Sequence, residues 1–140
     1  MSASVNSLVT VTDLNGLEPD LSSKHPKGWY KGPSGYTMQL NHGKPLNFTA
    51  VIEFLPGKPR GNHYHRTRAE YLTVLSGEMA MTFWDPNHPA DKHTELLTPG
   101  KQVFIPAGVA HVYMAKTPTI AIEQAEQHYS VDDTITLNER

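Results

Sequence analysis

The chain is divided by proline and glycine into segments that are too short for long helices. Eleven prolines and ten glycines are spread over its 140 residues, and both residue types disfavour the interior of a helix. Between them lie short runs of β-branched, aromatic or alternating apolar residues, which are typical of β-strands. The eight predicted strands are residues 36–40, 48–55, 70–77, 78–84, 94–98, 102–106, 111–115 and 119–124. Many short strands at this spacing predict an all-β sandwich or barrel.

The length of the chain fits a single domain that can bury a hydrophobic core. We predict that residues 36–125 form the barrel and that residues 126–140 form a C-terminal tail. Residues 1–35 have no clear period, and we expect them to form either an edge of the barrel or an arm that pairs with a second protomer. Residues 56–62 and 85–93 are rich in turn formers and are predicted to be loops.

Composition excludes several classes of function. Twelve Lys and Arg residues against 14 Asp and Glu residues give a net charge of −2, so we expect neither nucleic acid nor an anionic membrane as a partner. The chain has no cysteine, which excludes disulfides, thiolate metal sites and cysteine nucleophiles. Neither a secretory signal nor an apolar run of membrane-spanning length is visible. The predicted location is therefore the cytoplasm.

Residues 61–71, GNHYHRTRAEY, bring three potential metal ligands close together. His63 and His65 are two residues apart, so on a strand both imidazoles point to one face. Glu70 opens the next predicted strand, and His111 begins a later one. Three imidazoles and one carboxylate suit a single divalent transition metal, which leaves Fe, Mn, Ni, Co, Cu and Zn open. In an octahedral arrangement, two positions would remain for water, substrate or oxygen.

The spacing around these residues resembles the first motif of the cupin superfamily. That stretch has Gly57, five residues, His63, one residue, His65, four residues, Glu70, six residues and Gly77. Every spacing matches the motif.

A second stretch resembles the other cupin motif. It has Gly100, five residues, Pro106, one residue, Gly108, two residues, His111, three residues and Ala115. It differs from the family only at Ala115, where asparagine is usual. The resemblance implies a jelly-roll β-barrel (a double-stranded β-helix), a homodimer, and a metal held by the four residues His63, His65, Glu70 and His111.

Strand alternation indicates which other side chains face the pocket. Tyr113 shares a face with His111 and is predicted to be catalytic, since its phenol can offer a proton to a bound substrate. Met79, Met81 and Phe83 form a period-two apolar face and are predicted to be core. In 119–124, either Ile120, Ile122 and Gln124 or Thr119, Ala121 and Glu123 face inward, and the first set is apolar enough to be a core face.

Three classes of function fit this site. The first is a metal-dependent isomerase or epimerase of a small carbonyl substrate, and the stretch PRGNHYH, residues 59–65, narrowly favours it because it resembles cupins that act on nucleotide-linked keto sugars. The second is a mononuclear non-haem dioxygenase of an enolisable substrate, similar to quercetinase. The third is a cupin that binds a small ligand with the help of a metal and catalyses nothing. The small-molecule ligand is common to all three.

Overall fold

The structure is a computed structural model that describes residues 8–16 and 27–137. The described residues form short strands and a 3-10 helix at Leu14–Gly16. The strands are β1 (Thr10–Asp13), β2 (Lys27–Gly32), β3 (Gly35–Leu40), β4 (Phe48–Phe54), β5 (Arg60–His65), β6 (Glu70–Ser76), β7 (Met79–Trp84), β8 (His93–Leu97), β9 (Lys101–Ile105), β10 (Ala110–Ala115), β11 (Thr119–Ala125) and β12 (Thr134–Thr136). The prediction of an all-β chain is confirmed. In this part of the chain no helix is long and apolar enough to cross a membrane.

Two five-stranded antiparallel sheets enclose one hydrophobic core. The first sheet has the strand order β1-β9-β6-β11-β4, the second has the order β12-β5-β10-β7-β8, and β2 pairs with β3 in a separate hairpin. The core draws side chains from both sheets, such as Leu72 and Val103 of the first and Met81 and Phe83 of the second. Burial of apolar area between the sheets is the main stabilising contribution.

The eight predicted strands all occur, and each of their ends agrees with the prediction or differs from it by one residue. Four strands were not predicted as such, namely β1, β2, β5 and β12. The predicted loop 56–62 is partly wrong because β5 already begins at Arg60. Gly61 and Asn62 have positive φ angles of 99° and 63°, so the backbone at the start of this strand is irregular. The sequence there therefore resembles that of a loop.

The prediction for the inward face of 119–124 is wrong. Thr119, Ala121 and Glu123 of β11 lie opposite Phe54, Ile52 and Ala50 of β4, and the face that these pairs share lines the interior. Ala121 is fully buried, whereas Gln124 lies on the outer face, where its Oε1 atom is 3.0 Å from Nε2 of His42. Hydrophobicity did not identify the inward face, because the buried Arg68 compensates the charge of the inward Glu123 carboxylate. Ile120 and Ile122 lie on the outer face, where they are partly buried.

The N-terminal and C-terminal segments both add strands to the main sheets. β1 lies at the edge of the first sheet beside β9, and β12 lies at the edge of the second beside β5. Residues 1–7 and 17–26 of the predicted N-terminal segment lie outside the described residues, as do residues 138–140. The predicted homodimer stays a prediction.

Candidate metal centre

The three histidines predicted as ligands come together on two adjacent strands. His63 and His65 alternate with Tyr64 on β5, and His63 is directly opposite His111 of β10. One nitrogen of each of the three rings lies within 4.8 Å of the others. His65 and His111 are buried and His63 is partly buried, so the cluster lies in the interior.

Glu70 reaches the same cluster from the other sheet. It is the first residue of β6, and its Oε1 atom lies 2.9 Å from Nε2 of His111. Its second carboxylate oxygen lies 3.8 Å from Nε2 of His65. The structure thus brings all four predicted ligand residues together at one end of the barrel.

Glycine lets the ligand-bearing strands approach each other closely. A Cβ atom on Gly61 would lie 2.9 Å from the carbonyl oxygen of His111, which is closer than carbon and oxygen atoms normally pack. The positive φ of Gly61 is also a conformation that side chains other than glycine rarely adopt. This residue therefore permits the backbone contact that places His63 opposite His111.

The outer nitrogens of two histidines are held by neighbouring oxygens. Nδ1 of His111 lies 3.1 Å from the carbonyl oxygen of Val109, and Nδ1 of His65 lies 3.1 Å from Oγ1 of Thr134. A carbonyl oxygen can only accept, so Nδ1 of His111 carries the hydrogen and Nε2 presents a lone pair towards Glu70 when the ring is neutral. A lone pair facing a carboxylate at 2.9 Å requires a cation or a proton between them. Three ring nitrogens and a carboxylate oxygen are donors that divalent transition metals accept, so the donor set fits such an ion.

Burial keeps two of the imidazoles neutral. Burial, with smaller contributions from the His111 and His65 rings, lowers the pKa of His63 to about 4. Burial also lowers the pKa of His65. Neutral imidazole is the form that binds metals. At His111 burial also lowers the pKa, but the hydrogen bond and the negative charge of Glu70 outweigh it and raise the pKa above its ordinary value.

Glu70 belongs to a buried charge network that also contains Arg68 and Glu123. The Arg68 guanidinium contacts the Glu70 carboxylate through Nη1 and Oε2 of Glu123 through Nη2 at 3.3 Å. Burial raises the pKa of Glu70, but His111 and then Arg68 outweigh this and hold the pKa well below its ordinary value. Burial and the negative charge of Glu70 raise the pKa of Glu123 to about 7.

The cluster opens into a cavity of about 390 Å³. One wall is apolar, and it consists of Phe48, Ala50, Ile52 and Phe54 of β4. Apart from Gly61, the remaining lining is polar or aromatic and includes Arg60, Arg68, Tyr113, Glu123 and Tyr129 beside the four predicted ligands. A larger depression of about 470 Å³ lies around residues 40–46 and Gln124, but it contacts none of the cluster. The cavity with the histidines is therefore the candidate site.

Tyr113 lines this cavity as predicted. Its side chain is only 5% exposed, and its hydroxyl has no hydrogen-bond partner in the part of the chain that the structure describes. Its ring lies 5.6 Å from the His111 ring, between centroids. Burial, followed by the charge of Glu70, raises the pKa of Tyr113 well above its ordinary value, so the phenol keeps its proton. A buried hydroxyl without a partner is costly and indicates a place for a ligand atom.

Sequence reasoning missed several residues of the site. Arg68 and Glu123 were not singled out, because a buried ion pair between a turn residue and a strand distant in sequence leaves no local pattern. Thr134 was assigned to the tail. Glu123 could have been found from the alternation of β11 if the less apolar face had been taken as the inward one.

A family model described as a cupin domain matches residues 50–123, which is more than half of the chain. The chain belongs to the cupin family. This confirms the family and the jelly-roll fold predicted from the two motifs. Germin-like protein 4-1 of Oryza sativa subsp. japonica is 33% identical over 78 residues, which cover 52% of this chain and 31% of that protein. The match thus covers less than a third of that relative's length.

Solved structures of sugar isomerases and epimerases share the fold. A 3,4-ketoisomerase from Helicobacter canadensis has a TM-score of 0.72 and 17% identity, and the match covers 91% of this chain and 89% of that one. The epimerase RmlC from Legionella pneumophila, solved with dTDP-4-keto-L-rhamnose, has a TM-score of 0.71 and 16% identity over 92% of this chain and 72% of that one. The TDP-quinovose 3,4-ketoisomerase from Campylobacter jejuni has a TM-score of 0.72 and 16% identity, covering 92% of both chains. At such identities the likeness shows the fold alone.

Proposed function

We propose that this cupin is an isomerase or epimerase that moves a proton beside the carbonyl group of a small keto sugar. The observation that carries the proposal is the buried Tyr113 hydroxyl, which lies in the cavity beside the histidine cluster and has no partner among the described residues. A substrate oxygen would satisfy it. The relatives that share the fold include enzymes named for keto-sugar isomerisation and epimerisation, which supports this substrate class.

We further propose that His63, His65, Glu70 and His111 hold one divalent metal ion. When bound, such an ion would act as a Lewis acid that polarises a substrate carbonyl and so acidifies the neighbouring C–H bond. Within this group of four, the neutral imidazoles supply lone pairs and the Glu70 carboxylate supplies negative charge. The contacts from Val109 and Thr134 fix the ring orientations, as is usual for histidine ligands.

Proton transfer is assigned to groups on the cavity wall that are not among the proposed ligands. The Tyr113 hydroxyl donates a hydrogen bond to the substrate oxygen on which negative charge develops. The Glu123 carboxylate lies on the inner face of β11 and accepts the proton from the carbon next to the carbonyl. Returning a proton to the other face of the same carbon gives the epimer. Returning it to the former carbonyl carbon, while the hydroxyl proton of the neighbouring carbon passes to the former carbonyl oxygen, gives the keto isomer, and neither outcome needs an oxidant. The β4 wall of apolar side chains limits water in the cavity.

The direct test is proton exchange in deuterated water. The protein, loaded with a divalent metal, is incubated with TDP-4-keto-6-deoxyglucose, and ¹H NMR follows the signal of the hydrogen beside the carbonyl. We expect loss of that signal and the appearance of a new keto isomer. Tyr113→Phe should lower the exchange rate by about 100-fold with unchanged metal content. The exposed Tyr36 offers the matched control, and Tyr36→Phe should exchange like the wild type. If neither this substrate nor related TDP keto sugars exchange, the proposal fails.

A second candidate is oxygenase chemistry on an enolisable aromatic substrate. The specific observation in its favour is the apolar wall of β4, where Phe48 and Phe54 face the cavity together with Ile52. Such a surface suits a flat apolar ring as well as a sugar. Oxygen consumption with flavonol and diketone substrates distinguishes the two candidates, because the isomerase consumes none. Binding of a sugar nucleotide without exchange or oxygen uptake would instead support the predicted binding protein.

A further inference from the structure

Arg68 is a fully buried cation beside the proposed metal site. Its side chain is 1% exposed, although it carries a full positive charge and lies two residues before Glu70. Its guanidinium contacts Glu70 through Nη1 and lies over the Phe48 ring, with Cζ 4.6 Å from the ring centroid. A cation in this position repels any divalent ion bound at the histidines, and it attracts Oε2 of the carboxylate whose Oε1 faces His111.

Arg68 is held independently of Glu70. Its backbone nitrogen donates to Oδ2 of Asp133 at 3.1 Å, and its Nε donates to the carbonyl oxygen of Gln127 at 3.3 Å. Its Nη2 atom donates to Oε2 of Glu123 at 3.3 Å. If Glu70 turned away, the guanidinium would therefore keep Glu123 as a carboxylate partner and the carbonyl oxygen of Gln127 as a second contact, and the backbone of Arg68 would stay bound to Asp133.

The Glu70 carboxylate thus faces two kinds of partner at once. On one side it meets Nε2 of His111 at 2.9 Å, where a metal would lie, and on the other it meets Arg68. We propose that Arg68 and the metal compete for Glu70, and that Glu123 retains the guanidinium when Glu70 binds the metal. Arg68 is then a positioning residue that weakens metal binding and makes it depend on a second carboxylate. The proposal rests on the four-residue metal site proposed above, and it is independent of which reaction that site catalyses.

A purely structural role for Arg68 makes the opposite prediction. If Arg68 only held the turn and Glu70 in place for the metal, its removal would weaken metal binding along with stability. If it competes for Glu70, its removal tightens metal binding even though the metal-free protein becomes less stable. Loss of stability is expected in both cases, because two buried carboxylates then lack their cation. The sign of the change in metal affinity therefore separates the two roles.

The experiment measures Zn²⁺ affinity of the full chain by competition with a chromophoric chelator. We expect Arg68→Met to bind Zn²⁺ at least about tenfold more tightly than the wild type, because the repulsion between the guanidinium and the ion is lost. We also expect Zn²⁺ to raise its melting temperature more than it raises that of the wild type. The matched control is Arg66→Met, which removes an exposed arginine from the same turn. Its Zn²⁺ affinity should stay within about threefold of the wild type, because exposed charges are screened.

A second variant keeps the proposal testable if Arg68→Met does not fold. Glu123→Gln leaves Arg68 with Glu70 as its carboxylate partner and should weaken Zn²⁺ binding by at least about fivefold. In a protein that already carries Arg68→Met, Glu123→Gln should lower the Zn²⁺ affinity by less, because both substitutions act on the contact between Arg68 and Glu123. Glu126→Gln, at an exposed carboxylate, controls for the loss of one negative charge.

The outcomes separate failure of this proposal from failure of the metal site. Tighter Zn²⁺ binding by Arg68→Met supports competition, including the case in which the wild type binds none. Equal or weaker binding by Arg68→Met, with a wild type that binds Zn²⁺, overturns the competition and leaves the metal site standing. An unchanged affinity of Glu123→Gln overturns it as well. If neither the wild type nor Arg68→Met binds Zn²⁺, both the competition and the metal site are wrong.

Discussion

The two motif segments, residues 57–77 and 100–115, and the C-terminal segment, residues 126–137, contribute to the site in different ways. The motif segments carry every proposed ligand and Tyr113. The C-terminal segment carries none of these residues and no recognisable motif, yet it holds the motif segments in position. The motifs therefore carry the proposed donor atoms, and the segment without a motif contacts one proposed ligand, His65, and the turn before Glu70.

Asp133 shows this division most clearly. Its Oδ1 atom accepts hydrogen bonds from the backbone nitrogen and the hydroxyl of Thr67, at 2.8 Å and 2.9 Å. Its Oδ2 atom accepts from the backbone nitrogen of Arg68, and its carbonyl oxygen accepts from the nitrogen of Arg66. One aspartate thus fixes the whole turn between His65 and Glu70.

The largest effect is expected within the motif segments. His65→Ala removes a proposed ligand, so stoichiometric metal retention should be lost while the barrel still folds. Elemental analysis after loading and desalting measures the metal, and circular dichroism checks the fold. His88→Ala, at an exposed histidine of the loop between β7 and β8, should keep the wild-type metal content. Full occupancy in His65→Ala would exclude His65 as a ligand.

In the C-terminal segment, Asp133→Ala should have the next largest effect. Without its carboxylate, the turn loses three hydrogen bonds and Glu70 is less well placed. Removal of a residue that orients a metal ligand typically lowers metal affinity by about 10- to 100-fold. For Asp133→Ala we expect a loss towards the upper end of this range. Asp132→Ala, at an exposed neighbour, is the matched control. Equal affinities for the two variants in equilibrium dialysis would show that Asp133 plays no part in the site.

Thr134→Val tests a single contact from the same segment. The substitution keeps the shape of the side chain but removes the hydroxyl that lies 3.1 Å from Nδ1 of His65. Metal affinity should fall by about tenfold, the lower end of that range. Wild-type affinity in this variant would mean that packing alone orients His65.

The smallest effect concerns the pH dependence of stability in the metal-free protein. The pKa of His63 is lowered to about 4 in the folded state, from an ordinary value near 6.5. Between these values the unfolded chain binds a proton at His63 that the folded chain does not, so stability falls as the pH drops from about 6.5 to about 4. His63→Gln should lose less stability over this window in urea unfolding with EDTA present. Identical slopes for both proteins would contradict the assignment.

Sequence reasoning located the eight strands and the four proposed ligands because both leave local patterns. Strands alternate with turn formers, and ligands recur at fixed spacing from glycines. The contacts of Thr134 and Asp133 leave no such pattern, since each joins residues more than 60 positions apart through one side chain. β12 is only three residues long, too short to show alternation. For Glu123, hydrophobicity predicted the wrong face of β11, because a buried ion pair with Arg68 makes a polar side chain tolerable inside the barrel.

The most direct test of the four-residue metal site is anomalous X-ray diffraction from crystals of the Zn²⁺-loaded protein. We predict one anomalous peak per chain, about 2.0–2.2 Å from a ring nitrogen of His63, His65 and His111 and from a carboxylate oxygen of Glu70. A peak elsewhere, or no peak in crystals whose chains contain zinc by elemental analysis, would contradict the site on which this account depends.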